Sequence, residues 1–467
     1  MRWSRNATYG FLAFGEIWCF LLLSGCTSPL HWRDDGQVVG DLQSRTLCAD
    51  IVRSEPGEVA LPADVDLDDG LSEDEAISVA LANNPSFQAA LAQLGMSGGD
   101  LVQANLLTNP SLMSTFPVGV KQWEWTLYVP IEVFLLRPHR VAIAEFDYEK
   151  VSQQLTQSGL TLVRDIRVAY ADLALANEQW ELAKEAARIR REISALTDKR
   201  LERGDISELE SITARVDSLH AQANAAYLEQ SIAVARTRVL AIMGILPVTT
   251  ECACGPLEPL PKMELDEQAL LASAITSRPD VQAAEWAVHS AAERITLARW
   301  LFWRLDVLAD ANSRGVKGSE VGPGVRFDLP IFNRNQGGVI RASAELEQAL
   351  RNRDAVLNTV LQEVRTAMLQ LRQSQDNITA LQEQVVPALD SALAIAQKGF
   401  DDGGVSFLFV LQATSQYLDA KARLLEQLAA ARRAYAELER GVGHHLDLDF
   451  AVGLEAEEVS AHVGDRS

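Results

Sequence analysis

The chain has 467 residues, 48% of them hydrophobic but only 6% aromatic, and a formal net charge of −22. That charge excludes a nucleic-acid partner, because no basic stripe could offset phosphate repulsion. It fits a solvated surface or a passage that favours cations. The apolar count rests largely on Ala and Leu, which together with many Glu, Gln and Arg favours long, closely packed helices.

The N-terminus reads as a targeting segment. Arg2 and Arg5 form a basic region and Ile17 to Leu23 a short apolar one, bordered by Glu16. It ends in Leu23-Ser24-Gly25-Cys26, which resembles a bacterial lipobox. Cleavage before Cys26 would leave its thiol to carry a diacylglycerol. Residues 1–25 are therefore expected to be a lipoprotein signal peptide and 26–70 an extended, lipidated tether. No other run of ~20 apolar residues occurs, so no transmembrane helix is expected. Cys48, Cys252 and Cys254 remain in the mature chain, an odd number that permits at most one bridge.

The body is internally duplicated. Leu71-Ser72-Glu73-Asp74-Glu75-Ala76 leading to Pro85 is echoed by Leu265-Asp266-Glu267-Gln268-Ala269-Leu270 leading to Pro279, 194 residues on. Pro130-Ile131 returns as Pro330-Ile331, 200 residues on. Gly204-Asp205-Ile206-Ser207 returns as Gly403-Gly404-Val405-Ser406. The copies span 71–264 and 265–443, with a tail at 444–467. Each should run helix, two strands, very long helix, sharp turn, second helix.

In the first copy this places helices near 72–105, 138–203 and 206–244, with strands about 110–118 and 122–131. In the second it places helices near 265–302, 334–400 and 405–440, with strands about 303–313 and 320–330. Tyr148, Val151, Leu155, Ser158, Leu162, Ile166, Ala169, Leu173, Ala176, Trp180 and Ala183 recur at alternating steps of three and four, a coiled-coil seam. Pro387 should kink the second long helix.

The strands alternate. Leu305, Val307, Ala309 and Ala311 interleave with Arg304, Asp306, Asp310 and Asn312, with Leu308 breaking the polar row. Val321, Val325, Phe327 and Leu329 interleave with Gly322, Gly324, Arg326 and Asp328. A half-buried soluble hairpin has the same pattern. Two equivalent hairpins behind a lipobox point instead to membrane strands, with lipid on one side and water on the other. Four strands cannot close a barrel, and open edges cannot stand in lipid, so the chain must oligomerise. Charged inward residues (Arg304, Asp306, Asp310, Arg326, Asp328) need a wet lumen. Eight strands would fill the interior with side chains, whereas twelve would leave it open, so at least a trimer is expected.

Two further runs complete the pattern. Asp328-Leu329-Pro330-Ile331-Phe332-Asn333-Arg334-Asn335-Gln336-Gly337-Gly338 links the last strand to the long helix. Lys398-Gly399-Phe400 precedes Gly403, Ser406, Leu408, Val410-Leu411 and Ala413. With these, the chain from about Leu71 to Gly443 resembles a TolC-family outer-membrane efflux protein, and the Asn333 to Gln336 run resembles the heavy-metal efflux subgroup. The resemblance implies an α+β membrane protein: a homotrimer with a twelve-stranded outer-membrane β-barrel, four strands per chain, above a long periplasmic α-helical coiled-coil barrel. It implies partners too, a periplasmic adaptor and an inner-membrane RND-type pump, with the duct passively conducting what the pump delivers.

No catalytic constellation, P-loop, HExxH or cofactor fingerprint is present, so neither an enzyme nor a cofactor is expected. His444-His445 is read as a solvated helix end or a metal pair. Function should lie in opening the tube. Gly204 and Gly403 permit tight reversals, and Ser207 and Ser406 are placed to cap the returning helices. Asp205, Glu210, Asp401 and Asp402 are the acidic candidates for a gate at this tip; Asp401 and Asp402 either form a negative ring or are simply solvated. Phe407 and Phe409 either plug the aperture or pack between helices. A lipid-anchored periplasmic scaffold or adaptor would also account for the lipobox and helices, but it leaves the alternating strands unexplained. The cargo is not legible in the chain itself.

Overall fold

The computed structural model describes residues 36–46, 58–62, 65, 71–116, 123–245, 255–257, 259–263, 265–314 and 318–446. The signal peptide, Cys26, Cys48, Cys252, Cys254 and the tail beyond 446 lie outside the described residues.

The element order is α1 (Gly36–Thr46), α2 (Glu73–Asn83), α3 (Pro85–Asn105), β1 (Ser111–Thr115), β2 (Glu124–Pro130), α4 (Glu132–Glu202) and α5 (Glu208–Met243). The second copy continues with α6 (Glu267–Ser277), α7 (Pro279–Trp300), β3 (Leu305–Arg314), β4 (Gly318–Phe327), α8 (Gln336–Ala380), α9 (Val386–Asp401) and α10 (Phe407–Val442).

Four differences from the sequence expectation have local causes. The helices expected at 72–105 and 265–302 are each broken, because proline disfavours a helical residue before it and is at ease at a first helical position. Asn84-Pro85 and Arg278-Pro279 mark the breaks. The first long helix starts at Glu132, six residues before Pro138, and its 71 residues span ~105 Å. Pro387 is accommodated by a π-helical turn at Leu381–Val385, where Val386 N–H donates to Leu381 O, so the widened turn absorbs the missing donor. Finally, part of the tether is not extended. Residues 36–46 form α1, which buries Val38 and Leu42 against α4. Leu42 sits on Gly159, where an added Cβ would come within 2.6 Å of it. The glycine in the middle of the long helix is thus a seat for α1.

The sheet has the order β1-β2-β3-β4, antiparallel throughout. Register pairs Pro130 with Asp306 and Asp306 with Arg326, so the two hairpins lie side by side. Val321 (73% exposed), Val325, Phe327 and Trp125 crowd one face. Below the sheet, α4 enters both cores. Leu155, Ile166 and Leu173 pack with Ile77, Leu81 and Met243 of the first copy, while Ala174 and Leu175 pack with Val364, Leu371 and Leu438 of the second.

Candidate functional site

Three regions hold the chemistry: the polar sheet face, the helix turns at the far end, and a charged girdle between them.

On the sheet, Arg304, Asp306, Asp310 and Arg326 follow the two-residue period onto one face. Asp306 is 5% exposed, with Arg304 Nε at 3.8 Å and Arg326 directly opposite in register. The Arg326 guanidinium lies 5.9 Å from the Tyr128 ring centre. Asp310 accepts a 2.8 Å hydrogen bond from Thr126 Oγ1 across the seam between the hairpins. Asp328, just past β4, donates its N–H to Arg304 O at 3.3 Å. Leu308 shares this face. It lies flat across Gly324, where a Cβ would meet its Cδ1 at 2.5 Å, which explains a glycine in the middle of β4.

At the far end, Gly204 (φ 77°) and Gly403 (φ 73°) turn the chain in the left-handed region. Ser207 caps α5 in a reciprocal box. Glu210 N–H donates to Ser207 Oγ, and Ser207 N–H donates back to Glu210 Oε2 at 3.1 Å. Ser406 Oγ accepts from Leu408 N–H at 3.3 Å, with no returning carboxylate. Asp205 and Asp402 are exposed at the turns, and the side chain of Asp401 lies outside the described residues. The Ser211 hydroxyl, with Arg215 beside it, holds the Asp198 carboxyl below its usual range.

Sequence reasoning missed the contact that joins the two turns. Arg200 lies 3.9 Å over the ring of Phe400 and donates to Phe400 O at 3.2 Å. Phe400 is buried with Ala214 and Val410. It takes the packing role that the sequence offered to Phe409, which is 61% exposed. The signal was Lys398-Gly399-Phe400 itself: Gly399 gives Val405 room to fold back, since a Cβ there would meet Val405 Cγ2 at 2.6 Å.

The girdle was also missed. Arg278, in the break between α6 and α7, is 1% exposed and donates to Asp280, to Glu363 of α8 (2.7 Å) and to Gly441 O of α10 (3.3 Å). Burial pushes the Glu363 carboxyl up, but the Arg278 hydrogen bond and the Arg440 charge outweigh it, so its pKa is lowered. Arg45 of α1 donates to Ser277 O (2.6 Å) and Gly443 O (3.1 Å), the C-terminal carbonyls of α6 and α10. His445 N–H donates to Arg45 O at 2.9 Å, and His444 Nε2 lies 3.0 Å from Ser273 Oγ. The histidine pair is therefore built into the girdle and is not a solvated end. Among the described residues no three His, Cys, Asp or Glu side chains gather into a metal-binding group.

Comparisons with known proteins agree with this architecture. The family model described as Outer membrane efflux protein matches residues 76–245 and 270–444, one stretch in each repeat. The cobalt-zinc-cadmium resistance protein CzcC of Cupriavidus metallidurans is 27% identical over 393 residues, covering 80% of this chain and 90% of that protein. The cation efflux system protein CusC of Escherichia coli is 24% identical over 278 residues, covering 57% of this chain and 60% of CusC. A solved structure of CusC superposes with a TM-score of 0.70 at 20% identity, covering 85% of this chain and all of that one. The outer-membrane channel OprN gives the same TM-score at 18% identity, over 85% of this chain and 99% of its own.

Proposed function

Because the chain belongs to the outer membrane efflux protein family, we propose that three copies assemble into one conduit whose twelve strands cross the outer membrane and whose helices reach through the periplasm. The observation that carries this reading is the sheet. Its apolar face is bare, its opposite face holds Arg304, Asp306, Asp310 and Arg326, and among the described residues the outer edges of β1 and β4 have no neighbouring strand. Such a sheet is stable in a bilayer only when closed around water.

At the other end, the paired turns around Gly204 and Gly403 form the gate. The conduit is passive and performs no catalysis. A periplasmic adaptor docks on the tip and links it to an inner-membrane RND-type pump, and Cys26 adds a lipid anchor in the periplasmic leaflet of the outer membrane. The cargo we assign is divalent heavy-metal cations. The support is the likeness to CzcC and CusC, together with a net charge of −22 that raises cation concentration near the surface.

The test is direct. Protein extracted from outer membranes should run as a heat-dissociable trimer and conduct ions in planar bilayers. A monomeric, non-conducting particle ends the channel reading. Cells lacking the protein should lose tolerance to zinc, cobalt or cadmium salts and regain it on complementation; unchanged tolerance ends the cation reading and leaves the channel reading standing.

A further inference from the structure

The two long helices answer each other at a shift of 199 residues, which carries Gly204 onto Gly403 and Arg188 onto Pro387. At this level the copies do opposite things. In α4, Arg188 Nη2 donates to Glu185 Oε1 at 2.6 Å and its Nη1 donates to Glu192 Oε1 at 2.7 Å. One side chain thus braces two turns of an unbroken helix. In the second copy the same level holds the π-helical turn Leu381–Val385 and then Pro387. Val386 N–H goes to Leu381 O, and Pro387 has no N–H to offer Gln382 O or Glu383 O. Both of those residues are exposed, so water can reach their carbonyls. A helix bends most easily where rungs of its ladder are missing.

What holds the helix also changes across this turn. On the side toward the sheet, α8 buries Val364, Leu371 and Ile378, and its Asn377 donates to Gln427 of α10 at 3.2 Å. There α10 is itself tied to α4, through Glu437 on Arg164 (2.8 Å), Arg433 on Asp172 (2.7 Å) and Glu426 on Gln179 (3.3 Å). The π-helical turn buries no side chain. On the side toward the tip, α9 buries only Leu393 and Phe400 among its described side chains, and Phe400 is the residue that Arg200 holds. α9 is therefore an arm of 16 residues, ~24 Å long, with a break at one end and an arginine contact at the other.

We propose that the turn at Leu381–Val385 is a hinge, on which α9 swings the Gly403 turn while the braced α4 keeps the Gly204 turn in place. The proposal rests on reading the paired turns as the gate, and it names the point where the moving helix bends. Arg200, lying over Phe400, is the latch that holds the arm closed.

Amide exchange on the full-length protein reads the hinge. Arg200→Ala should speed exchange several-fold across residues 386–401, while residues 360–380 of α8 and 182–198 of α4 exchange as before. Deleting Gln384 together with Pro387→Ala removes the extra residue and returns the missing donor, which joins α8 and α9 in one ladder. In that straightened background Arg200→Ala should speed nothing. Pro387→Ala alone, which leaves the length of the chain unchanged, should reduce the acceleration in the same direction. An acceleration that spreads evenly into α8 or α4, or that survives in both Pro387→Ala backgrounds, overturns the hinge.

Planar bilayers read its role. Arg200→Ala should conduct more than the unaltered protein, and the straightened background should cancel the gain. Equal conductance of all three, with exchange as expected, leaves the bend no part in the gate and overturns the proposal. Trimers that never form or conduct overturn the channel reading instead, and the exchange pattern still decides whether the helix bends at Leu381–Val385.

Discussion

The two repeats share an element order and differ in what surrounds them. In the first, α4 is covered by α1, α2, α3, α5, α7 and α10, and its apolar seam is nearly all interior. In the second, α8 and α9 leave Ile340, Leu369 and Ile395 exposed and α10 leaves Leu408 and Phe409 exposed, much as α5 of the first leaves Leu209, Leu219, Tyr227 and Val234. The joints between helices diverge more. At Asn84-Pro85 a neutral side chain suffices: Asn84 Oδ1 accepts from Phe87 N–H at 3.0 Å, and its Nδ2 donates to Ile242 O at 2.8 Å. At Arg278-Pro279 a buried guanidinium ties three elements and is flanked by Arg45 of α1. The first joint is held by neutral hydrogen bonds and the second by a buried ion cluster, although each copy has an apolar core of its own.

The sharpest way to break this contrast is to remove the two joint residues in turn. Arg278→Met strands Asp280 and leaves Glu363 with Arg440 alone, at 3.1 Å. Losing one member of a buried pair costs about 3–5 kcal/mol, and the lower end applies because both carboxylates stay partly open to water. Asn84→Ala removes a helix cap and one further hydrogen bond, about 1–2 kcal/mol. Thermal unfolding should rank them in that order. Equal losses would mean that the joints are energetically alike.

A smaller effect should follow at the strap between the repeats. Gly159→Leu places new atoms where Leu42 sits, and overpacking of this kind costs about 1–3 kcal/mol. The loss should be local, seen as faster amide exchange through residues 36–46, while α4 exchanges as before. Uniformly faster exchange would show that α1 is part of the core and not a strap laid over it.

Much of this was legible in the sequence. The duplication, the alternation of Leu305 to Ala311 and the Gly-x-x-Ser turns each have a local signal, a period or a turn residue, that survives without a partner. Arg278 had none. An arginine before a proline in an acidic chain looks like a surface residue, and only the return of α8 and α10 brings Glu363 and Gly441 to it. A glycine inside a long helix, such as Gly159, has no local reason to be there, because its partner Leu42 lies more than a hundred residues away in a stretch that reads as tether. Long-range pairing between different kinds of segment is what periodicity cannot report.

Acid should separate the repeats with a smaller effect still. Glu363 of the second copy has a folded pKa below its usual 4.5, so its stabilisation is complete above that pH and fades as pH falls through the folded value. Glu73 of the first copy is shifted the other way, because burial raises it despite Arg167 and Arg432. Its cost is present above the unfolded value and relieved on acidification. As pH falls through the folded value of Glu363, amide protection should fall at α8 and α10 before it falls at α2. Simultaneous loss would remove the ionic distinction between the copies.

The smallest expected effect lies at the two turns, the proposed gate. In the first turn the acid at the third helical position, Glu210, is held by the cap of Ser207, so it is a structural carboxylate. In the second turn that place holds Phe409, Ser406 caps alone, and the acids have moved to the tip as Asp401 and Asp402. Asp401→Asn with Asp402→Asn should therefore weaken cation preference or divalent-ion block in planar bilayers while leaving stability nearly unchanged, because solvated charges contribute through the field and little through packing. Glu210→Gln should do the reverse, losing part of a cap worth about 1 kcal/mol with no change in selectivity. If the tip substitutions leave selectivity and block untouched, Asp401 and Asp402 are solvated surface and the duct is gated by other groups.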